Sequence, residues 1–290
     1  MSSAEIAANF LKMLEDRDLS ILYALERSID SFKELKINHI GKLTTLHQDE
    51  VNFRLLRLQK MKMISKGESG YYLATAGLDA MVLKAFVNNG LISAFGGNIG
   101  VGKEADVFEA IDEKGSEHVI KFYRLGRISF RGVKKKRNLL SSLESSKWLK
   151  ACINAAGKEF YALKQVHLAG GKVPEAIARE RHAILMQKID GTLLCKTPEL
   201  QDPLGMLEEI LDTLRTAFFK VKIVNGDLSE YNVLYNGKNC YVIDWPQAVE
   251  VGKFDSERLL KRDVENIVRF FKRKYQIEYS FDKAYDYVTK

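Results

Sequence analysis

The stretch VNGDLSEYNVLY, residues 224–235, places polar residues where a buried segment is expected. Asp227 and Asn232 lie five residues apart, between the aliphatic run FFKVKIV and the short apolar run VLY. Both residue types favour turns and loops over regular structure. A loop that carries two such residues between buried-looking strands indicates chemistry, and the remainder of the chain can be interpreted from it.

A hairpin is predicted directly after this loop. Asn236-Gly237 is a strong turn signal, and CYVID then runs back to Asp244. The turn falls near the middle of the span from Asn232 to Asp244, so the two strands are nearly equal in length and bring both residues to the open end. An amide oxygen, a carboxylate and the nearby Asp227 form an oxygen-only donor set, which suits Mg²⁺.

The pattern D-x-x-x-x-N, hairpin, Asp is the catalytic and metal-binding pattern of the protein-kinase fold. The other parts of that fold occur upstream in the correct order. IGVGKEADVFEA supplies Gly100 and Gly102 with Val107 at the proper offset, HVIKFY supplies Lys121, and the next helix supplies Glu159. Taken singly, they would be an ordinary turn, a surface lysine and a helix carboxylate. Their fixed order favours the kinase interpretation.

The first 90 residues predict three helices followed by a short hairpin, the pattern of a winged helix-turn-helix. Its longest amphipathic helix would offer Asn52, Arg54, Arg57 and Lys60 to a nucleic-acid groove. Winged helices also dock proteins, and residues 1–90 hold 12 Lys+Arg against 11 Asp+Glu. Nucleic-acid contact and protein contact both stay open.

Charge and composition limit the class of protein. The net charge of +7 is concentrated near RGVKKKR, residues 131–137, which is either a solvated basic loop or a site that meets phosphates. The apolar runs are too short to span a membrane, and the N-terminus lacks the features of a signal peptide. The three cysteines lack metal-ligand spacing, which argues against a disulfide framework and against a zinc site.

Four longer stretches resemble the RIO family of atypical kinases, in the subfamily with an N-terminal winged helix: GVGKEADVF, LGRISFRGVKKKRNLL, NGDLSEYNVL and VIDWPQAVEVG. Ordinary kinases carry Asp-Phe-Gly where this chain has Asp-Trp-Pro from Asp244. The chain departs from the family at three positions. Asn225 replaces the usual His, Ala105 replaces a frequent Ser, and Gln187 replaces an acidic residue.

The resemblance implies an α+β fold with two domains. Residues 1–90 would form the winged helix and a linker helix, and residues 91–290 would form a reduced, two-lobed, protein-kinase-like domain. Its N-lobe would cover about 91–187 and its C-lobe about 188–290. Only 46 residues follow Asp244, too few for the peptide-docking helices of an ordinary protein kinase, so general peptide phosphorylation is the weaker hypothesis.

The resemblance also implies the site residues. Asp227 would be the catalytic base and Asp244 a metal ligand that accepts the phosphoryl group in some members, while Asn232 would be the second ligand to Mg²⁺, with Mn²⁺ as a substitute. The residues expected to bind ATP are Gly100, Gly102, Lys103, Val107, Lys121, Glu159, Met186, Gln187 and Ile189.

The function implied is an ATP- and magnesium-dependent serine kinase or ATPase in small ribosomal subunit maturation. It would act either by serine autophosphorylation or through an aspartyl phosphate. The expected partners are the pre-ribosomal small subunit, its rRNA and ribosomal proteins, in an archaeal-like, cytoplasmic, monomeric protein without membrane association. The alternative is a nucleotide-sensing, RNA-binding scaffold without significant turnover.

Overall fold

The computed structural model describes residues 1–126, 143–253 and 255–290. It divides into two compact units, Met1–Ile153 with Glu180–Ala183, and Asn154–Arg179 with Ile184–Lys290. The basic stretch 131–137 lies outside the described residues. The boundary predicted at residue 90 falls inside the first unit and stays a prediction about domains.

The first unit begins with a winged helix-turn-helix, which confirms that prediction. Its core is apolar, with Leu22, Leu55 and Leu58 fully buried. The hairpin that forms the wing pairs Ile64 with Leu73 and Lys66 with Tyr71. The elements are α1 Ser3–Phe10, α2 Asp16–Arg27, α3 Ile37–Thr44, α4 Gln48–Lys60, β1 Ile64–Lys66, β2 Tyr71–Leu73 and α5 Thr75–Asn88.

Helix α1 was not predicted, because it is short and precedes the clear periodic pattern. The Ser2 side chain accepts a hydrogen bond from the Glu5 amide, and the Glu5 carboxylate accepts one from the Ser2 amide. This capping box satisfies backbone donors that a short helix would otherwise leave exposed. Ala4 and Ala7 are fully buried, and their small side chains let α1 lie close to α5.

An antiparallel meander completes the described strands of the first unit: β3 Ala94–Val101, β4 Ala105–Ile111 and β5 Glu117–Tyr123. Its β4–β5 turn is held by Asp112, whose carboxylate accepts hydrogen bonds from the amides of Lys114 and Ser116. Phe108 and Phe122 are fully buried and meet edge to face at 6.0 Å. The first part of α6, Leu143–Leu168, also belongs to this unit.

A buried ionic network connects α5 with these strands. Asp79 on α5 is fully buried and accepts hydrogen bonds from Arg124 Nη2 at 2.7 Å and from His182 Nε2 at 2.9 Å. Arg124 follows β5, and its Nε lies 3.5 Å from Asp106 Oδ2 in β4. The Arg124 amide also donates to the Glu104 carbonyl, so the turn between β3 and β4 is tied to the same group.

The second unit combines helices with short strands. Helix α8 buries a continuous stripe, Leu260, Val264, Ile267 and Phe271, at the spacing of one helical face. The elements after α6 are β6 Ala176–Glu180, β7 Ala183–Gln187, β8 Thr192–Leu193, α7 Pro203–Thr216, β9 Ile223–Val224, β10 Val233–Tyr235, β11 Cys240–Val242, β12 Val249–Glu250, α8 Ser256–Tyr275 and α9 Phe281–Thr289.

The hairpin predicted around Asn236-Gly237 is confirmed as β10 and β11. Val233 lies opposite Val242, and Gly237 has φ +90°, the left-handed conformation that glycine adopts at little cost. Strand β8 pairs with β10 on the side away from β11. Within the described ranges, no helix combines the length and the apolar character that crossing a membrane requires.

Candidate active site

The loop that contains Asp227 is held in place by helix α8. The Asp263 carboxylate is buried and accepts hydrogen bonds from the amides of Gly226, at 2.7 Å, and Leu228, at 3.1 Å. Arg262 donates to the Gly226 carbonyl, and Asn266 Nδ2 donates to the Leu228 carbonyl at 3.1 Å. One turn of α8 therefore fixes the backbone on both sides of Asp227.

Asn225, which replaces the family's usual His, connects two parts of the site. Its Nδ2 donates to the Asp244 carbonyl at 3.2 Å, and its Oδ1 accepts from the Asp227 amide at 3.0 Å. The side chain is fully buried, so both hydrogen bonds are shielded from water. Although Asn225 departs from the family pattern, both of its side-chain polar atoms hold the loop.

The backbones of Asn232 and Asp244 come close at the open end of the hairpin, as its strand lengths predict. Val233 pairs with Val242, and the Ile243 amide donates to the Asn232 carbonyl at 2.9 Å, one residue before Asp244. Asn232 Nδ2 donates to the Asp227 carbonyl at 2.9 Å, which leaves Asn232 Oδ1 available as a ligand. An amide oxygen and a carboxylate at one hairpin end fit the oxygen donors that Mg²⁺ prefers.

Two left-handed backbone positions shape this site. Asp244 has φ +68°, which is uncommon for a residue with a side chain. Gly226 has φ +79°, and a Cβ there would lie 3.0 Å from the Gln247 carbonyl oxygen. Trp245 follows Asp244, is fully buried and donates from Nε1 to the Val242 carbonyl at 3.1 Å. This packing holds Asp244 in its unusual conformation.

The local electrostatics suit proton transfer at Asp227. Desolvation raises the pKa of the Asp227 carboxyl, the negative charge of Asp244 raises it further, and Arg262 opposes both. Burial raises the pKa of Asp263 to about 7, against the lowering effect of its two backbone hydrogen bonds. A carboxyl whose pKa moves toward neutrality is a better general base near neutral pH.

In the first unit, the meander places three of the predicted nucleotide-binding residues in one row. Gly100 lies opposite Val107 between β3 and β4, and Val107 lies opposite Lys121 between β4 and β5. Cross-strand partners point to the same face of a sheet, so Val107 and Lys121 share a face. The β3–β4 ladder is irregular around Asn98, and the Gly102 amide donates to the Ala105 carbonyl at 2.8 Å, which closes the turn.

The other predicted nucleotide-binding residues are placed as follows. Lys103 is exposed in the turn between β3 and β4, and Glu159 is buried on α6. Met186 is buried in β7, and the Gln187 amide at the end of that strand donates to the Glu175 carbonyl at 2.9 Å. Ile189 follows in the next connection. Their roles toward a nucleotide, including the pairing of Glu159 with Lys121, stay predictions.

The nucleic-acid face predicted on α4 is wrong for two of its four residues. Arg54 is buried, with Nη1 2.7 Å from Glu15 and 3.2 Å from Asp18, and Nε 2.8 Å from Glu50. Arg57 lies 3.4 Å from Asp18 and also bonds Glu15. Both guanidinium groups neutralise carboxylates of their own domain, because α2 lies against the face that the helical periodicity assigned to an external partner.

The sequence reasoning missed Asp263, Arg262 and Asn266. They lie 35 to 38 residues beyond their loop partners, inside a helix with an ordinary amphipathic pattern. The signal in the sequence was that Ser256 and Asp263, two polar residues, occupy positions of the apolar stripe. The structure buries both. A buried Asp on an apolar helix face indicates a hydrogen-bonding partner but does not say which one.

Comparison with known proteins identifies the same two parts. Residues 106–284 match the RIO domain, and residues 11–89 match the Rio2 N-terminal domain. The RIO-type serine/threonine-protein kinase Rio2 of Methanocaldococcus jannaschii is 35% identical over 88% of this chain and 97% of its own length. The Schizosaccharomyces pombe serine/threonine-protein kinase rio2 is 32% identical over 92% of this chain and 78% of its own length.

Solved structures agree with these matches. The Chaetomium thermophilum Rio2 kinase in an ADP/Mg²⁺-phosphoaspartate complex has a TM-score of 0.83 and 29% identity, over 98% of this chain and 89% of its own. The fold class predicted from the sequence, a winged helix followed by a reduced kinase-like domain, is thereby confirmed. The chain belongs to the RIO family and carries the N-terminal domain of the Rio2 type.

Proposed function

We propose that this chain is an ATP- and Mg²⁺-dependent atypical serine/threonine kinase and ATPase that acts in maturation of the small ribosomal subunit. The observation that carries the proposal is the constrained loop and hairpin that hold Asp227, Asn232 and Asp244. Asn225 links the Asp227 amide to the Asp244 carbonyl, Asn232 donates to the Asp227 carbonyl, and Asp263 accepts the amides on either side of Asp227. All three oxygen-bearing residues that phosphoryl transfer requires are present, and these hydrogen bonds fix the backbone that carries them.

The residues are assigned roles by their chemistry. Lys121 neutralises phosphate charge from β5, in the row shared with Val107 and Gly100. Asn232 and Asp244 hold Mg²⁺, which supplies charge neutralisation on the phosphates when bound. Asp227 takes the proton of the attacking oxygen, a role that its raised pKa supports.

The remaining assignments concern the nucleotide itself. The backbone near Gly100 and Gly102 approaches phosphate oxygens, because neither residue has a Cβ in the way, and Lys103 adds positive charge. Met186, Gln187 and Ile189 contact the base, and Glu159 orients Lys121. These assignments follow the family pattern position by position.

The phosphoryl acceptor distinguishes two forms of the activity. In the aspartyl-phosphate form, an Asp244 carboxylate oxygen attacks the γ-phosphorus, the bond from that phosphorus to the bridging oxygen breaks, and ADP leaves. Water then attacks the phosphorus, its bond to the Asp244 oxygen breaks, Asp227 accepts the proton of the water, and inorganic phosphate leaves. The phosphoaspartate named for the Chaetomium thermophilum structure supports this form. In the other form, a serine hydroxyl is the nucleophile.

Single-turnover measurements with labelled ATP test the proposal. Asp227→Asn and Asp244→Asn each reduce ADP formation by about 10²-fold or more, since each removes a charged group from the reaction. Glu113→Gln, at an exposed turn position, is the matched control and leaves the rate unchanged. Label that hydroxylamine releases indicates an acyl phosphate, whereas resistant label indicates a serine ester.

The same measurements address the scaffold alternative. ADP formation equal in the parent, Asp227→Asn and Asp244→Asn would refute the enzymatic proposal. The chain would then be a nucleotide-sensing, RNA-binding scaffold. Nucleotide binding by calorimetry, measured on the same three proteins, distinguishes a scaffold that senses ATP from a chain that does not bind it.

The proposed partner is the pre-ribosomal small subunit, with its rRNA and ribosomal proteins, met by a monomer in the cytoplasm. Family membership supports this assignment. Co-sedimentation of the parent with small-subunit precursors, with and without ATP, tests it, and equal sedimentation with mature subunits and with precursors would contradict it. The basic residues 131–137 are the proposed rRNA contact, and its affinity should fall steeply with rising salt concentration.

A further inference from the structure

The exposed face of α4 differs from a nucleic-acid-reading face in its composition. Phe53 and Leu56 are 58% and 59% exposed although they stand in the middle of the helix. Residues three or four apart share a helical face, so Asp49, Phe53, Leu56 and Lys60 form one stripe. We call these four residues the α4 stripe. Its centre is apolar and its two ends carry opposite charges.

The stripe is poor in the charge that phosphate recognition requires. Asp49, at the N-terminal end, exposes 90% of its side chain and would repel a phosphate one turn from Phe53. The arginines on this helix, Arg54 and Arg57, are held by Glu15, Asp18 and Glu50. A backbone-tracking nucleic acid would therefore meet an acid and two apolar side chains along most of the helix.

Positive charge is concentrated beyond the C-terminal end of the stripe. Lys62 and Lys66 line a surface cavity of about 340 Å³ together with Gln59, Ile64, Ser65 and Tyr72 of α4 and the wing. Lys60, Lys62 and Lys66 are all exposed, and the described part of the chain shows no ion pair to any of the three. Three lysines without a carboxylate partner are complementary to an acidic ligand.

These observations favour a partner that is both apolar and acidic. We propose that the α4 stripe and the adjoining lysine-lined cavity bind an acidic, amphipathic protein segment. Its apolar side chains cover Phe53 and Leu56, and its carboxylates meet Lys60, Lys62 and Lys66. An amphipathic segment binds by covering apolar side chains with its own apolar face, and lysines beside them attract its carboxylates. The inference is independent of the proposed ATP chemistry.

Two fluorescein-labelled probes of equal net charge test the inference on the full chain without nucleotide. The first is a helical peptide of about 18 residues, with leucines at i, i+3, i+4 and i+7 and glutamates flanking them. The second is a single-stranded RNA. Fluorescence anisotropy gives the affinity of each probe for the parent and its variants.

The peptide is expected to bind saturably, and Phe53→Ala and Leu56→Ala each weaken it about tenfold, as loss of a central anchor does. The double variant Lys62→Glu with Lys66→Glu weakens it at least as much. Leu168→Ala and Lys114→Glu are the controls, since both residues are exposed elsewhere, and neither changes the affinity. All these substitutions lie at exposed positions, so the fold is retained.

Three results would overturn the inference. The first is the absence of saturable peptide binding. The second is peptide affinity that is unchanged in Phe53→Ala, in Leu56→Ala and in the double lysine variant. The third is tighter binding of the RNA than of the peptide, with RNA binding lost in Phe53→Ala and in the double lysine variant but retained in Leu56→Ala. The leucine variant is informative because bases stack on an aromatic ring but gain little from an aliphatic side chain.

Discussion

Asp263 holds the backbone of the site in place, although no contact between Asp263 and substrate is predicted. Its two carboxylate oxygens accept the amides on either side of Asp227, so the loop can move only if α8 moves. A misplacement of the proposed base, Asp227, by about 1 Å is enough to reduce a rate by about 10²-fold. The precision of Asp227 therefore depends on a residue 36 positions later in the chain.

We expect Asp263→Asn to lower kcat by about 10²-fold while leaving the KM for ATP nearly unchanged. Asparagine offers one oxygen acceptor, and its amide group would oppose the second backbone donor, so one hydrogen bond is lost. Glu265→Gln, exposed on the same helix and paired with Arg269, is the matched control. Equal kcat for the parent and Asp263→Asn would contradict the positioning role.

The pKa of Asp263 also predicts a pH dependence of stability. Burial raises this pKa from the ordinary 3.8 to about 7, so between these values the folded state holds a proton that the unfolded chain has lost. Rising pH across that window therefore lowers the free energy of unfolding. Urea unfolding at about pH 5 and about pH 8 should show this loss in the parent but not in Asp263→Asn. Identical pH slopes would refute it.

Sequence reasoning named the residues of the proposed reaction and missed the residues that hold their backbone in place. Asn232 and Asp244 could be placed together because the turn signal falls near the middle of the span between them, so the two strands are nearly equal in length. Asp263 and Asn225 could not be assigned, since their side chains contact backbone groups rather than other side chains. Backbone partners leave no mark on residue identity, so a buried polar side chain signals the need for a partner without naming it.

Among the elements, α4 shows most clearly why a helical pattern underdetermines function. Periodicity separates the apolar face from the polar face, but it does not say whether the polar face meets water, a partner or another helix. Here α2 provides Asp18, which is fully buried beside Arg54 and Arg57. The arginines stabilise the winged helix, and the exposed face is left with Phe53 and Leu56.

Arg54→Met is expected to destabilise the winged helix by about 3 kcal/mol, because it leaves the buried Asp18 carboxylate with a weaker countercharge. Thermal unfolding followed by circular dichroism measures the change. Arg17→Gln is the control, since Arg17 is largely exposed and pairs with Glu50 at 3.3 Å. That substitution should cost less than about 1 kcal/mol. Equal losses for the two variants would show that the buried cluster has no special weight.

Across the whole molecule, the winged helix and the meander that carries Gly100 and Lys121 belong to one compact unit. The network of Asp79, Arg124 and His182 lies entirely inside this unit. Burial lowers the pKa of His182, so the ring is neutral and donates its Nε2 hydrogen, while Asp79 and Arg124 form the charged pair. The first 90 residues are thus part of the structure that supports the glycine motif.

Asp79→Asn tests whether the buried network holds the winged helix to the meander, and the fluorescence of the two tryptophans reports the unfolding. Trp148 lies in the first unit, where its Nε1 donates to the Leu125 carbonyl, and Trp245 lies in the second. Loss of the buried Asp79 charge should lower the free energy of unfolding by about 3 kcal/mol. Closer pairing of Arg124 with Asp106 would reduce this loss. In a Trp245→Phe background, where Trp148 is the remaining reporter, Asp79→Asn should move the unfolding midpoint to a lower urea concentration.

In a Trp148→Phe background, Asp79→Asn should shift the unfolding midpoint less, because the remaining reporter, Trp245, belongs to the second unit. Glu113→Gln, an exposed charge change in the first unit, is the control and should leave both transitions in place. An unchanged Trp148 transition in Asp79→Asn would show that the network does not hold the winged helix to the meander.

The left-handed backbone at Asp244 has a consequence for how this protein can evolve. Among residues with side chains, asparagine and aspartate enter that conformation most readily, and only the acid brings a negative oxygen to a cation. Glutamate keeps the charge but not the conformational ease, while glycine keeps the ease but loses the charge. The left-handed conformation and the proposed role as a Mg²⁺ ligand therefore select the same amino acid independently, and a substitution of Asp244 loses either the backbone conformation or the negative charge.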